Sequence, residues 1–248
     1  MTSPLEYEDY HPKTGQPEKV RFERICPRSS DIVKHQSGVL DYPGLAVVAH
    51  IEEDKFLDHL SNLQNINLAF TRVDKLHCTL LGLLAGNNQE NANSVFKKVI
   101  YDSVKEFIGD QNLGALRLQF NCIRPGTWRH GKNKKLVNNC SDGTVIATGS
   151  MAAADNKKFC DTGSRLAEHL RNELDNIFEP DFTRKFPTLW CTLGYFDCAD
   201  FDITCELSNI FNDLKKLSIT LSIDQLSVFE YYSRTLEWSN RYKVPLIL

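Results

Sequence analysis

From residue 44 onward, apolar and polar positions fall into short runs whose period changes from two to about 3.6 and back. Gly44-Leu-Ala-Val-Val-Ala-His-Ile51 is rich in β-branched residues and predicts a strand. Asp54 is placed to cap a helix whose apolar positions Phe56, Leu57, Leu60 and Leu63 recur at helical spacing. Leu76 to Leu84 predicts a second strand. Asn93 to Ile108 predicts a helix with Val95, Phe96, Val99, Ile100, Val104 and Phe107 on its apolar side, and Leu116 to Ile123 alternates as a strand does.

The order then begins again. Thr144 to Thr148 reads as a strand behind the turn Ser141-Asp142-Gly143. Asp155 to Phe178 reads as a helix with Phe159, Leu166, Leu170, Leu174 and Ile177 inward. Thr188 to Phe196 is a strand, Phe201 to Leu217 a helix, and Ser218 to Tyr232 one or two strands. Tyr242 to Leu248 reads as an edge strand, because Pro245 has no backbone N–H to donate to a ladder. Residues 1 to 40 have little periodicity and carry Pro4, Pro12, Pro17 and Pro27. They predict an extended arm with room for one short helix, packed on the domain or partly mobile.

The unit strand–helix–strand–helix–strand thus occurs twice. Its second strands, Leu76-His77-Cys78-Thr79-Leu80 and Leu189-Trp190-Cys191-Thr192-Leu193, share Leu-x-Cys-Thr-Leu, and Gly82 and Gly194 follow closely. Repetition of both motif and element order predicts an internal duplication. The expected architecture is α+β: a single domain over 41–248 with two pseudo-symmetric lobes, about 41–125 and 140–248, and pairing across lobes allowed. Two antiparallel sheets would line a central cleft, with helices on the outside.

Composition narrows the function. The chain is 42% hydrophobic and 25% charged, with a net charge of −3, as in ordinary soluble proteins. No general electrostatic pull toward nucleic acid or anionic membrane follows, so a small ligand or a strand end is favoured over an extended duplex. No apolar run approaches the ~18 residues of a membrane span. The polar start, with Glu6, Glu8 and Asp9, is unlike a secretory signal. Eight cysteines at 26, 78, 122, 140, 160, 191, 198 and 205 include no CxxC pair, and Cys78, Cys122 and Cys191 lie in apolar runs. Reduced thiols in the cytoplasm are the expectation.

In a strand, residues i and i+2 share a face, so His77 and Thr79 project together while Cys78 turns into the core. An imidazole, with a reference pKa near ~6.5, can give or take a proton at neutral pH, and a hydroxyl beside it can bond a phosphate oxygen. A His-x-Thr strand answered about a hundred residues later, in a chain with this repeated order, resembles the 2H phosphoesterase superfamily. That group includes 2′,3′-cyclic nucleotide phosphodiesterases and 2′-5′ RNA ligase-like proteins, and the resemblance spans roughly residues 42 to 248. It implies that two histidines serve as general base and general acid while the hydroxyls hold phosphate. His77, Thr79 and Thr192 are then the catalytic candidates, and neither a metal nor a cofactor is implied.

The sequence departs from the family where the second histidine is expected, because that position is Trp190. Trp190 is a loss of the second imidazole, a platform that stacks a base for ~1–3 kcal/mol, or core filling. Losing one of two acid–base partners costs about 10²–10⁴ in rate. The run from Arg124 to Lys135 (RPGTWRHGKNKK) is the one basic cluster and reads as a loop overhanging the groove or as a solvated hairpin. Arg124, at the strand end beside Pro125-Gly126, is its best candidate for binding substrate, together with Trp190 and Tyr195. Tyr231, Tyr232 and Arg234 are further residues whose direction the period leaves open. GxxxxGK[ST], HExxH and Gly-x-Ser-x-Gly are all absent. Two functions follow as expectations. One is metal-independent hydrolysis of a cyclic or 2′-linked phosphodiester in a nucleotide or RNA end; the other is a non-enzymatic module that binds such ends. A monomer is expected in either case.

Overall fold

Strands carry most of the structure, as the many short stretches of period two require. The computed structural model describes residues 4–10, 17–25, 39–52, 54–65, 70–73, 76–84, 94–110, 114–126, 129–130, 135–136, 140–141, 143–173, 188–196, 201–233 and 239–245. A hairpin of β1 (Leu5–Tyr10) and β2 (Pro17–Phe22) is followed by a short β3 (Arg24–Ile25). Next come β4 (Val39–His50), α1 (Asp54–Asn65), β5 (Phe70–Arg72), β6 (His77–Leu84), α2 (Ser94–Asp110) and β7 (Leu116–Pro125). The two-residue strands β8 (Arg129–His130), β9 (Lys135–Leu136) and β10 (Cys140–Ser141) lead into β11 (Thr144–Met151), α3 (Ala153–Glu173) and β12 (Thr188–Phe196). The remaining elements are β13 (Phe201–Asp202), α4 (Cys205–Leu214), β14 (Ile219–Ile223), β15 (Gln225–Ser233) and β16 (Ser239–Pro245).

Two antiparallel sheets hold the long strands. One has five strands in the order β14-β7-β11-β12-β5, the other four in the order β16-β15-β4-β6. Neither sheet belongs to one half of the sequence: β7 pairs with β11 and β14, and β15 pairs with β4. β16 is an edge strand, as Pro245 requires. The expected helix from Phe201 begins instead at Cys205, because Phe201 and Asp202 pair with β3 and Thr204 caps the helix. Its hydroxyl accepts a hydrogen bond from the Leu207 N–H at 3.2 Å, satisfying a donor that the first turn leaves free.

The helices bury the faces their spacing predicts. Phe56, Leu60 and Leu63 of α1 are buried, as are Ile100, Val104 and Ile108 of α2 and Phe159, Leu166 and Leu170 of α3. Val99, assigned to the apolar side of α2, is 38% exposed instead. Phe56 meets Phe120 of β7 edge to face, with centroids 5.5 Å apart, and α4 also packs on β7. α2 packs against α3 and against β16. Each long sheet is therefore in contact with at least one helix. Leu174 and Ile177 lie outside the described residues.

Part of the N-terminal arm is a structured hairpin. Leu5, Tyr7, Val20 and Phe22 point inward from β1 and β2 and are buried in the main core, as is Ile25 of β3. Charged residues occupy the outward positions between them, which is why the stretch reads as polar. Tyr7 lies edge-on to Phe22 at 6.0 Å, and Lys215 sits over its ring at 4.4 Å. Burial, reinforced by the nearby Cys122 and opposed by Arg124, pushes the Tyr7 hydroxyl pKa well above its ordinary value near ~10. Above that pH the unfolded chain gives up a proton that the folded chain keeps, so stability falls as pH rises through the alkaline range. In Tyr7→Phe this contribution is gone, and urea unfolding between about pH 9 and 11 should show a shallower loss than in the parent.

A register shift on β7 puts a tight demand on its neighbour. Thr148 opposes Cys122 while Gly149 opposes Phe120, so Asn121 is an extra residue in the ladder. A Cβ on Gly149 would run into the Gln119 carbonyl oxygen and stand 2.9 Å from the Phe120 Cα. Backbone atoms in a paired strand cannot swing aside as a side chain does. Gly149→Ala is expected to cost about 1–3 kcal/mol in urea unfolding, and an unchanged midpoint would refute the crowding.

Candidate functional site

The two Leu-x-Cys-Thr-Leu segments occupy β6 and β12, which lie against each other although they belong to different sheets. β6 is the last strand of the four-stranded sheet. Alternation sorts the motif residues in the same way on both strands. Cys78 and Cys191 are fully buried, while His77 and Thr192 are half-buried and Thr79 is exposed. Each strand also carries an extra residue at the same point. Val48 pairs with Thr79 and Val47 with Leu81, so Leu80 is skipped; Ile146 pairs with Thr192 and Val145 with Gly194, so Leu193 is skipped. A bulge directly after the threonine re-aims the strand at equivalent positions of both motifs.

Trp190 is 65% exposed, which removes core filling from its possible roles. The register gives it company on its face of the five-stranded sheet. Thr148 of β11 lies opposite both Trp190 and Cys122, and Ile146 lies opposite both Thr192 and Arg124. Directly opposed residues project to the same side, so two rows cross three strands: Trp190–Thr148–Cys122 and Thr192–Ile146–Arg124. At a strand spacing of about 4.8 Å, the outer members of a row are separated by roughly 9.6 Å along the sheet.

Arg124 is only 4% exposed, and its Nη1 donates to the Pro125 carbonyl at 3.1 Å. It gives this end of the face a fixed positive charge rather than a long reaching arm. Beside it the Cys122 thiol is pushed up by burial, against the opposing influences of Arg124, Lys215 and a hydrogen bond with Thr148. The hydroxyls and the guanidinium therefore share one face, with the buried arginine farthest from β6.

His77 stands in a different setting. Its ring lies 5.6 Å from that of Phe229, at an interplanar angle of 51°. Phe229, Ala46 and Val48 form a small buried cluster separate from the main core, so the imidazole has an apolar wall. Directly across the ladder from His77 is His50, at the end of β4. Cross-strand neighbours of this kind have Cβ atoms about 4.5–5.5 Å apart. Spacing along the sequence does not mark His50 or Thr148 as residues of the site. Alternation from Val48 assigns His50 to its face, but only the β4–β6 register reveals its neighbour.

Tyr195 is 7% exposed and opposes Thr144 and Thr71, farther along β12 than Thr192. In the basic stretch, Arg129 and His130 pair with Leu136 and Lys135 as a short hairpin. Trp128, Lys132, Lys134 and Arg234 lie outside the described residues. Among the described residues, no group of three or more His, Cys, Asp or Glu side chains is placed to hold a metal ion. Cys78, Cys122, Cys160, Cys191 and Cys205 are thiols outside any disulfide. Among the described residues, no helix is long and apolar enough to cross a membrane.

No protein-family model and no curated protein matches the chain. Among solved structures it is similar to TT0787 of Thermus thermophilus, at 12% identity and a TM-score of 0.47, over 82% of this chain and 97% of that one.

The two tryptophan-strand neighbours supply a direct test of the sorting. Trp190→Ala should change stability by less than about 0.5 kcal/mol, because the side chain stands in solvent. Leu189→Ala, at a position 1% exposed, should cost about 2–5 kcal/mol by urea unfolding. Equal losses would place Trp190 in the core after all.

Proposed function

We propose that this chain is a metal-independent, phosphoesterase-like protein of the 2H type, acting slowly on cyclic or 2′-linked phosphodiesters of nucleotides or RNA ends. The observation that carries the reading is the matched pair β6 and β12, in which the same motif has the same bulge and the same inward cysteine. The sheet orders support a duplicated, two-lobed ancestry. If β4 corresponds to β11 and β6 to β12, then β16-β15-β4-β6 corresponds strand for strand to β14-β7-β11-β12. In this reading the four-stranded sheet has taken β15 and β16 from the second half, and the five-stranded sheet has taken β7 and the added β5 from the first.

His77 is the acid–base group in this proposal, and Thr79 and Thr192 hold the non-bridging phosphate oxygens. Electrostatic stabilisation of charge on phosphorus is the larger contribution in such sites, and Arg124 adds to it from a distance. With tryptophan where the second imidazole is expected, turnover would be about 10²–10⁴ below that of a site with both. The reduced thiols fit a reducing cytoplasm, and a single chain contains every residue that the reading requires.

A second reading has its own support. The 65% exposure of Trp190, beside Thr192 and Thr148, suits a stacking platform for a base better than it suits proton transfer. In that reading the protein binds nucleotide or RNA ends without hydrolysing them. Incubation of the purified protein with 2′,3′-cyclic AMP separates the two. Slow turnover that is lost in His77→Ala and rises by about 10²-fold in Trp190→His supports the enzyme. Saturable quenching of tryptophan fluorescence without turnover supports the binding module, and neither binding nor turnover refutes both.

A further inference from the structure

A hollow of about 360 Å³ adjoins His50, the cross-strand partner of His77. Its wall runs from the end of β4 through β14 into the start of β15, and its polar lining comprises His50, Glu52, Thr220, Ser222, Asp224 and Gln225. Glu52, Thr220, Ser222 and Asp224 are exposed, while His50 and Gln225 are half-buried. The volume lies within the ~300–1,000 Å³ typical of small-molecule sites.

The chemistry of this lining is opposite to that of the rows on β7, β11 and β12. The two carboxylates repel a phosphate, and together with the two hydroxyls and the carboxamide they accept hydrogen bonds from uncharged donors. A carboxylate offers two oxygens to a pair of neighbouring hydroxyl groups, and threonine, serine and glutamine can each donate or accept in return. The arginine lies with Thr192 on the five-stranded sheet, whereas the carboxylates line the hollow at His50. The pairing of His50 with His77 brings the hollow to the imidazole of the candidate phosphate cleft.

We infer that this hollow is a subsite for the uncharged sugar of a nucleoside whose 2′- and 3′-hydroxyls are both free, as on the 5′-O side of a 2′-linked phosphodiester, with His50 standing between it and the phosphate-binding residues. The inference rests on the phosphate-cleft reading for its second half only. Glu52 and Asp224 accept hydrogen bonds from the sugar's vicinal hydroxyls, and the Gln225 carboxamide with the Thr220 and Ser222 hydroxyls completes the polar wall. Selection is then for ribose over a sugar that lacks the diol, and it is independent of hydrolysis.

Imidazole ¹H–¹⁵N spectra of the full chain, with His50→Gln and His77→Gln used to assign the two signals, test the two halves separately. The probes are adenosine, 2′,3′-dideoxyadenosine and inorganic phosphate. Adenosine should shift the His50 signals saturably, dideoxyadenosine should do so at least ten-fold more weakly, and phosphate should act on His77. In Glu52→Gln/Asp224→Asn, whose two positions are exposed, the adenosine affinity should fall at least ten-fold. A response of His77 to phosphate with none of His50 to adenosine overturns the sugar subsite and leaves the phosphate cleft standing. The reverse pattern overturns the phosphate cleft and leaves the subsite. Equal shifts by the two nucleosides overturn recognition of the diol, and silence from every probe overturns both halves.

Discussion

The period of two along β6 and β12 is the constraint on which the candidate site depends. Each strand must give the core one side chain and its other face the next, and the shared motif answers with cysteine inward and His/Thr or Trp/Thr on the other side. A small apolar thiol at Cys78 and Cys191 lets the strands seat deeply without a cavity or a crowding branch. The bulge after each threonine then breaks the ladder directly beyond the motif's hydroxyl. Moving either register by one residue would turn cysteines to the open face and bury an imidazole or an indole. The site is therefore fixed by the core packing beneath it as much as by its own chemistry.

Around that pair the two sheets differ in character. The five-stranded sheet carries hydroxyls, an exposed indole and a buried guanidinium in two rows, with the N-terminal hairpin close to its far end. The four-stranded sheet carries the imidazoles against a phenylalanine wall. Burial dominates the protonation of both groups at the far end: it raises the Tyr7 hydroxyl and the Cys122 thiol, and the neighbouring cations only partly offset it. Both groups consequently stay neutral at physiological pH beside the cations Arg124 and Lys215.

Local pattern carried the sequence reading a long way. The strands at Leu76, Leu116, Thr144 and Thr188, the inward faces of α1 and α3, and the burial of Cys78 and Cys191 all follow from spacing alone. What spacing missed depends on distant partners. Leu5, Tyr7, Val20 and Phe22 alternate with charged residues, and prolines mask the pattern, so the hairpin read as an irregular arm. Phe201 and Asp202 looked like the start of a helix because nothing local announces their pairing with Arg24 and Ile25. Arg124 looked like an accessible strand-end cation, yet it is buried where the N-terminal hairpin approaches β7. His50 is the sharpest case, since a strand's period gives its face and only a neighbouring strand's register gives its partner.

The placement of β15 bears on how the chain is made. β4 is complete at residue 50, but the strand that occupies its second edge begins at residue 225. During synthesis, β4 and β6 can pair early, and a row of backbone donors and acceptors on β4 then stays open until residues 225–233 have emerged. Open strand edges of this kind attract other chains. A nascent chain of this protein therefore carries an open strand edge for as long as residues 51 to 224 take to be made.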